Sequence, residues 1–410
     1  MSNSLPVLVA EHPAAARLLS PLGRRAEVPL GIPQQSAQAA GCIRQASIGQ
    51  ITSGDGVPLT VPAVADHFAG LDRRAAFLYA PTAGLRPLRE AWRQRIDVPG
   101  CSLPIVTSGM SHGLSILADL FSCPEHPLVL ADPFWDNYST IWTMRTGAEL
   151  RSFPFFNQSR GFNLAGLGRR LDELAGPASL LLNFPNNPTG YTVTVREAEA
   201  LIERILAHPH PLAVICDDAY AGLYFEPDCY GRSLFGALAA RADRERLLVC
   251  KVDGATKELV FFGGRVGFLT FGVDGPAGEA LMDKAAAILR GTVSSVNAPA
   301  QAAVLAALGD PNLSSQQEKV LGVLRRRYHA LSSALEREGL DALPFNSGCF
   351  ALIQLRPDQD ADRLRVRLIH EQSTGVIAVP STNALRVAFC SIDEADIPDL
   401  AARIAAVVRP

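Results

Sequence analysis

A lysine within an apolar, glycine-flanked segment is the residue of this sequence best suited to covalent chemistry. Only four of the 38 Lys and Arg residues are lysines, so arginine carries the ordinary positive charge of the chain. Lys257 lies between two predicted strands, 246–252 and 265–271. A desolvated amine in such a place has a lowered pKa and can act as a nucleophile or form a Schiff base. Taken alone, Lys257 fits a solvated loop position better, because most lysines lie at the surface.

Further polar residues follow predicted strands elsewhere in the chain. Asp217 ends the apolar strand VICDD, and a buried carboxylate requires a cationic or hydrogen-bonding partner, such as a protonated pyridine nitrogen. Asp218 is expected to face the opposite side, as a solvated residue or a helix cap. Ser108 and Gly109 open a helix and offer N–H groups to a phosphate, although taken alone an ordinary serine N-cap explains them better. Asn187 in FPNNPTG also fits a tight turn.

The order of the predicted elements indicates how these residues come together. From residue 104 onward, short apolar strands alternate with amphipathic helices, which indicates βαβ units and a mostly parallel sheet sandwiched by helices. In such a sheet, ligands bind beyond the carboxyl ends of the strands. We therefore predict an α/β fold, with residues 46–290 as a large domain and 291–410 as a smaller C-terminal α/β domain. Residues 1–45 are predicted to form an N-terminal arm with at most one short helix.

Composition narrows the class of protein. The net charge is −3 and charges of both signs are interspersed, so no surface for nucleic acid is expected. The eight cysteines form no CxxC pair, which favours free thiols in a reducing cytosol, and the histidines form no HExxH zinc motif. No apolar run reaches the roughly 18 residues of a membrane span, and no signal peptide is recognised. We expect a cytoplasmic protein that does not bind membranes.

Seven motifs occur in an order that points to one enzyme family. They are YAPTAGLRPLRE, the Ser-Gly helix start, PFWDNY, NNPTG, DDAY, TKELVFFGGRVG and LRVAF. Over residues 46–410 the chain resembles the fold type I pyridoxal-phosphate (PLP) enzymes, and within them the class I/II aminotransferases related to aspartate and aromatic aminotransferases. The combination of NNPTG, Asp-x-x-Tyr and a lysine followed eight residues later by an arginine is specific to this family. Any one of the three motifs alone can arise by chance.

The resemblance implies a role for each residue around the cofactor ring. Lys257 would form the internal aldimine and carry the proton between the substrate α-carbon and the cofactor C4′. Asp217 would keep the pyridine nitrogen protonated, which makes the ring an electron sink. Asn187 and Tyr220 would hydrogen-bond the ring hydroxyl oxygen, with Asn187 also close to the substrate. Trp135 would stack on the ring face.

The resemblance also implies ligands for the cofactor phosphate and for the substrate carboxylate. The helix start and one arginine would hold the phosphate, namely Ser108, Gly109, Met110, Ser111 and Arg265. Tyr79 would reach that phosphate from the partner subunit, which implies a homodimer with sites at the interface. Arg386 would bind the substrate α-carboxylate bidentately, and Gly49 would add a backbone N–H. No metal is expected.

Two positions depart from the family pattern. The family usually shows Ser-x-Ser-Lys, whereas residues 254–257 read Gly-Ala-Thr-Lys, so the first serine, a phosphate ligand in many members, is missing. We expect rearranged or weaker phosphate binding without loss of the Schiff base. Thr292 falls where dicarboxylate-specific members carry a second arginine, with Arg290 two residues earlier. Strict aspartate specificity is therefore not expected.

The predicted function is transfer of the amino group of a neutral or aromatic L-amino acid to a 2-oxo acid such as 2-oxoglutarate. The reaction is less well specified than the cofactor, because lyases, decarboxylases and racemases share the same lysine, aspartate and arginines. A PLP-dependent C–S lyase is thus the nearest alternative. A non-catalytic PLP-fold regulator is the alternative of another class. Regulatory relatives add a DNA-binding module ahead of the fold, for which residues 1–45 are too few.

Overall fold

The computed structural model describes residues 4–27 and 31–409. Its strands in chain order are β1 (Arg44–Gln45), β2 (Ile105–Ser108), β3 (Leu128–Asp132), β4 (Leu150–Pro154), β5 (Ala178–Asn183), β6 (Leu212–Asp217), β7 (Leu247–Gly254), β8 (Val266–Phe271), β9 (Phe350–Gln354), β10 (Thr374–Gly375), β11 (Ile377–Val379) and β12 (Ala384–Ala388). Its α-helices are α1 (Ser4–Glu11), α2 (Pro13–Leu18), α3 (Pro21–Arg25), α4 (Ile32–Gln38), α5 (Pro62–Ala69), α6 (Arg73–Phe77), α7 (Arg86–Ile96), α8 (Met110–Phe121), α9 (Asn137–Ser139), α10 (Leu164–Asp172), α11 (Val195–Leu206), α12 (Leu234–Ala239), α13 (Ala255–Glu258), α14 (Gly275–Thr292), α15 (Ala298–Leu308), α16 (Leu313–Arg337), α17 (Ala361–Gln372) and α18 (Ile397–Val408). A π-helical turn, Thr140–Met144, continues α9.

Seven strands form the central sheet, in the spatial order β2-β8-β7-β6-β5-β3-β4. Strand β8 is antiparallel to its neighbours β2 and β7, and the other adjacent strands are parallel. The ladder aligns the strand ends, because Asn183 pairs with Asp217 and Asp217 pairs with Val252. The predicted α/β fold with a mostly parallel sheet is confirmed.

Helices cover both faces of this sheet because its central strands are apolar on both sides. Every residue of β5 and β6 is buried. Ile215 belongs to an apolar cluster with Leu114 of α8, whereas its neighbour Val214 belongs to a second cluster with Leu201 of α11. Burial of each such aliphatic side chain contributes about 1.5–3 kcal/mol relative to exposure. The two clusters therefore hold the strand ends, and the polar residues that follow them, on a rigid base.

A second, three-stranded antiparallel sheet lies in the C-terminal part, in the order β11-β12-β9. Helix α18 packs against α16 and α17 in the same part of the chain. Arg386 sits in the central strand β12, paired with Ile377 on one side and Leu352 on the other. Its backbone is therefore fixed from both edges. The predicted domain boundaries at residues 45 and 290 stay a prediction.

The N-terminal segment contains more helix than the sequence suggested. At most one short helix was predicted there, but α1, α2 and α3 form in succession, and α4 follows. Pro13 and Pro21 stand at the first position of α2 and α3, where a proline needs no N–H donor and its fixed φ suits a helix start. Each proline thus ends one helix and begins the next. Strand β1 pairs with β10, so this segment packs against the C-terminal part.

Four helices, α6, α12, α13 and α14, were not predicted from the sequence. The longest, α14, carries Arg290 and Thr292 in its last turn. All eight cysteines are free thiols, as predicted, and six of them are buried. Within residues 4–27 and 31–409, no helix combines the length and apolar character required to cross a membrane.

Candidate active site

A cavity of about 320 Å³ lies at the carboxyl ends of the central strands. Ten of the predicted site residues line it: Gly49, Met110, Ser111, Trp135, Asn187, Asp217, Tyr220, Lys257, Arg265 and Arg386. Seven of them lie at or after the carboxyl ends of β2, β3, β5, β6 and β7, whereas Arg265 precedes β8, Gly49 follows β1 and Arg386 lies in the C-terminal sheet. The rule that ligands bind beyond strand carboxyl ends accounts for those seven, and the other three were found through the family motifs.

Lys257 is half-buried in the short helix α13, directly after β7, and its side chain lines the cavity. Its Nζ lies 4.6 Å from the ring centroid of Phe262 and 5.6 Å from that of Tyr220. Burial lowers the pKa of the Lys257 amine, and the guanidinium groups of Arg265 and Arg386 lower it further against the opposing effect of two cysteines. A larger fraction of neutral, nucleophilic amine results, as a Schiff-base lysine requires. A solvated loop position is excluded for this residue.

Asp217 lies at the end of β6, 3% exposed. Its Oδ2 accepts a hydrogen bond from the Tyr138 hydroxyl at 2.6 Å, and its Oδ1 accepts one from the Ala219 N–H at 3.2 Å. Burial raises the pKa of Asp217 to about 6, with the Asp218 carboxylate adding to the rise and the Tyr138 hydrogen bond opposing it. The carboxylate is therefore ionised at neutral pH at a cost, which a cationic partner in the cavity would offset.

Arg386 is also buried, with 1% of its surface exposed, so a solvent-facing orientation is excluded. Its Nη1 donates to Asn187 Oδ1 at 2.9 Å and its Nη2 donates to the Ser47 carbonyl at 2.6 Å. The guanidinium carbon stands 4.4 Å from the ring centroid of Phe350. Arg386 Nε has no hydrogen-bond partner among the residues described. A buried, fixed guanidinium with spare donor capacity suits bidentate capture of a carboxylate.

The first turn of α8 and one arginine form the cationic end of the cavity. Met110 and Ser111 begin α8, so their N–H groups have no partner within the helix and form part of the positive end of its dipole. Gly109 before them has φ 74°, and a side chain at this position would collide with the guanidinium of Arg265. Gly109 also donates its N–H to the Arg265 carbonyl at 3.0 Å. Ser108 donates its own N–H to a histidine ring rather than lining the cavity.

The other aromatic and polar side chains of the cavity lie on the segments that follow β3, β5 and β6. The loop after β5 carries Asn187, whose N–H donates to Asn183 Oδ1 at 2.9 Å. The loop after β3 carries Trp135, whose ring meets that of Tyr138 edge-on at 5.5 Å between centroids. Tyr220 follows β6, is buried, and packs edge-on against Phe350 at 5.5 Å. A flat ring seated above Asp217 would thus find an aromatic surface and two polar groups on its edge.

Comparison with known proteins decides the family. Residues 47–404 match the family described as aminotransferase class I and II. The chain belongs to this family. A probable N-succinyldiaminopimelate aminotransferase of Mycobacterium tuberculosis is 30% identical over 178 residues, which are 42% of this chain and 43%, less than half, of that protein. An aspartate/prephenate aminotransferase of Thermus thermophilus is 27% identical over 314 residues, which are 74% of this chain and 75% of that protein. The crystal structure of an aminotransferase from Anaerococcus prevotii has a TM-score of 0.84 at 22% identity, covering 94% of this chain and 99% of that one.

The predicted family is therefore confirmed, as are the fold type and the prediction of an enzyme dependent on pyridoxal phosphate. The residues of this aminotransferase-family chain fit that cofactor. Asp217 supplies a buried carboxylate for the ring nitrogen, and Lys257 supplies a desolvated amine. Met110, Ser111 and Arg265 supply N–H donors and a cation for the phosphate. The roles of the individual residues stay predictions that the resemblance to the family implies.

Three predicted site residues do not line the cavity of their own chain. Ser108 and Gly109 directly precede Met110, the first residue of α8, and connect β2 to this helix. Tyr79 is 97% exposed, next to exposed Phe77 and Leu78. Its predicted role in the partner subunit's site stays a prediction.

Two residues that sequence reasoning missed support Asp217. Tyr138 donates to its carboxylate, and Asn183 donates from Nδ2 to its backbone carbonyl at 2.9 Å. Tyr138 was visible as the last residue of PFWDNY, three positions after Trp135. Nothing in the sequence singled out Asn183 as a contact of Asp217, because their pairing arises from strand register.

On the opposite face of β6, Asp218 forms a buried ion pair with Lys251. Asp218 was expected to face away from Asp217, which is correct, but not to be buried. Its Oδ2 accepts from Lys251 Nζ and, at 2.6 Å, from the Ser233 hydroxyl. Lys251 Nζ also lies 3.2 Å from Asp253 Oδ2. A solvated position or a helix cap was the wrong expectation, because Lys251 of the neighbouring strand supplies a cation that no short-range pattern shows.

Proposed function

We propose that the protein catalyses transamination, moving the amino group of a neutral or aromatic L-amino acid to a 2-oxo acid such as 2-oxoglutarate. The observation that carries the proposal is the placement of Arg386 and Lys257 in one cavity, which apolar as well as polar side chains line. Arg386 is suited to hold an α-carboxylate, and Lys257 offers an amine within the same space.

The chain's own residues account for binding, orientation and proton transfer. Pyridoxal phosphate, when bound, supplies a ring that accepts the electron pair released at the substrate α-carbon. Asp217 would hold a proton on the ring nitrogen, and that cation would offset the cost of keeping the buried carboxylate ionised. Arg386 orients the substrate so that its α-hydrogen faces the amine. Lys257, whose lowered pKa leaves a larger fraction of its amine neutral, would take the proton from the substrate α-carbon and deliver it to C4′ of the bound cofactor.

The lining of the cavity supports a donor with an uncharged side chain. Apolar side chains from five segments line the space, namely Ile32, Ile48, Leu114, Phe262 and Phe350. Within the described part of this chain, the cationic residues lining it are Lys257, Arg265 and Arg386, each with a proposed task. Neither Arg290 nor Thr292 lines the cavity of its own chain. A second carboxylate on the substrate would therefore be desolvated without a dedicated cation from this chain.

We propose a homodimer in which Tyr79 completes the partner subunit's site. Tyr79 is almost fully exposed and lies outside the cavity of its own chain, within the exposed apolar run 77–79. Apolar side chains displayed together in this way favour burial against another surface.

The homodimer is tested by complementation between two inactive variants. Lys257→Ala and Tyr79→Phe subunits are co-expressed, and mixed dimers are isolated by two different tags. A mixed dimer contains one site with a native lysine and a native tyrosine, so it should recover about half of the wild-type turnover. Mixed dimers that stay as impaired as the two parents would show that Tyr79 does not act across an interface.

Donor specificity is tested by kcat/KM for phenylalanine, leucine, methionine and aspartate with 2-oxoglutarate as acceptor. The proposal predicts that phenylalanine or leucine exceeds aspartate by at least tenfold. Arg290→Gln is the matched control variant and should leave the order unchanged. If aspartate is the best donor of the wild type and loses that advantage in Arg290→Gln, then Arg290 binds the second carboxylate of the substrate.

The same reactions distinguish transamination from C–S lyase activity. Transamination converts the donor to its 2-oxo acid and 2-oxoglutarate to glutamate in equal amounts. A lyase acting on a cysteine conjugate releases pyruvate, ammonia and a thiol without any 2-oxo acid acceptor. Release of pyruvate and ammonia as the dominant reaction would replace the proposed function with the lyase.

A further inference from the structure

The backbone around Gly254 leaves no room for the serine that many relatives carry at this position. A Cβ at Gly254 would stand 2.6 Å from the Val266 carbonyl oxygen and 2.8 Å from the Gly267 Cα. Both neighbours belong to β8, which pairs with β7 at this point through Gly254 and Gly267. Because the atoms in the way are backbone atoms of a central sheet, they cannot turn aside as a side chain would. The missing hydroxyl is therefore excluded by the close approach of two strands.

Thr256, two residues later, has a hydroxyl with no partner. Its side chain is 4% exposed and lines the cavity. Its Oγ1 is buried and makes no hydrogen bond to any of the residues described. A buried hydroxyl without a partner destabilises the fold, so such groups are uncommon unless a ligand satisfies them.

The surroundings of Thr256 indicate what kind of ligand this is. Ser111 and Met110 at the start of α8 line the same cavity, as does the Arg265 guanidinium. Gly267 brings β8 against the Gly109 carbonyl carbon and the Met110 nitrogen, where an added Cβ would lie within 2.6–2.8 Å of both. The turn that carries Thr256 is thus packed near the N–H groups of α8. Donors from a helix start, a guanidinium and a hydroxyl together suit a phosphate.

We infer that Thr256 donates a hydrogen bond from its hydroxyl to the phosphate of the cofactor, and that it replaces the serine for which Gly254 leaves no space. The assignment concerns cofactor binding alone, so it holds whichever amino acid is the donor. It also accounts for the chain's departure from the family motif, because one phosphate ligand is moved by two positions rather than lost.

The test compares two ligands that differ only in the phosphate. Full-length protein is freed of cofactor, and dissociation constants for PLP and for pyridoxal are measured by quenching of tryptophan fluorescence, with Trp135 lining the site. Thr256→Val should raise the Kd of PLP about tenfold or more and leave that of pyridoxal within twofold, because a hydrogen bond to a charged group is lost while the shape is kept. Thr256→Ser should restore the wild-type value for PLP.

Thr270 provides the matched control. Its Oγ1 is likewise buried without a partner among the described residues, but it lies in β8 and does not line the cavity. Thr270→Val should therefore change neither dissociation constant. If Thr256→Val leaves PLP binding unchanged, or weakens PLP and pyridoxal equally, the phosphate contact is refuted and the hydroxyl acts elsewhere.

A second variant tests why the hydroxyl has moved. Gly254→Ser should lower the thermal midpoint of the cofactor-free protein and fail to tighten PLP, because the new side chain meets the backbone of β8. A Gly254→Ser protein that is as stable as wild type and binds PLP more tightly would contradict the proposed replacement.

Discussion

Replacing Asp217 by asparagine should stabilise the cofactor-free protein increasingly as the pH rises. Burial raises the pKa of Asp217 from its ordinary 3.8 to about 6. Because the pKa is raised in the folded state, the penalty is nearly absent below pH 3.8, grows as the pH rises, and is complete above about pH 6. A pKa difference of one between the folded and unfolded states corresponds to about 1.4 kcal/mol. Ionisation of Asp217 therefore lowers the free energy of unfolding by about 3 kcal/mol at neutral pH. Asparagine does not titrate and avoids this penalty.

The assay is guanidinium unfolding of both cofactor-free proteins between about pH 4 and pH 7. Asparagine has a single acceptor oxygen and loses one of the two bonds from Tyr138 and Ala219, but that loss does not depend on pH. The readout is therefore the change with pH in the difference of unfolding free energy, which should grow by about 2 kcal/mol in favour of the variant over this range. Titration of Asp253, whose pKa is also raised to about 6, is common to both proteins and cancels.

Adding the cofactor should reverse the order of the two proteins. A protonated ring nitrogen supplies the cation that the Asp217 carboxylate lacks, so the wild type gains more from PLP than the asparagine variant does. A difference in unfolding free energy that stays flat with pH would refute the reasoning, since Asp217 would then titrate near its ordinary pKa despite its burial.

Three further substitutions test separate parts of the structure. Lys257→Ala should abolish turnover while the thermal midpoint stays near that of the cofactor-free wild type; turnover at the wild-type rate would show that the site is wrongly assigned. Arg386→Lys should lower kcat/KM for the amino acid roughly 10- to 100-fold and leave the Kd of PLP unchanged, because a bidentate contact to the carboxylate is lost; an equal loss of PLP affinity would place Arg386 on the cofactor instead. Lys251→Met should reduce the free energy of unfolding by roughly 3–5 kcal/mol, because it leaves Asp218 and Asp253 buried without their cation; adding Asp218→Asn should recover part of the loss, and no recovery would show that the pair is not coupled.

The large sheet was predictable because its signals are local. Short continuous apolar runs such as SLLLNF and LAVICD, alternating with amphipathic helices, predict strands that are buried on both faces, and parallel strands place the residues that follow them at one edge. Asp217 and Lys257 each stand directly after such a run. Arg386 was found only through its motif, since an arginine in an alternating strand otherwise indicates a solvent-facing residue.

The parts that were missed depend on contacts between distant segments. The burial of Asp218 follows from Lys251 on the neighbouring strand, and the support of Asp217 by Asn183 follows from strand register. The exclusion of a side chain at Gly254 follows from the distance to β8. The short N-terminal helices show the reverse case, because Pro13 and Pro21 were visible in the sequence but were not used to predict helix starts.

The most direct test of the central claim is the visible absorption spectrum of the purified protein reconstituted with PLP. The account predicts a yellow protein whose colour bleaches on addition of phenylalanine or leucine and returns on addition of 2-oxoglutarate, and a Lys257→Ala protein that shows no such cycle. A protein that takes up no PLP, or one whose bleached colour does not return with any 2-oxo acid, would contradict it.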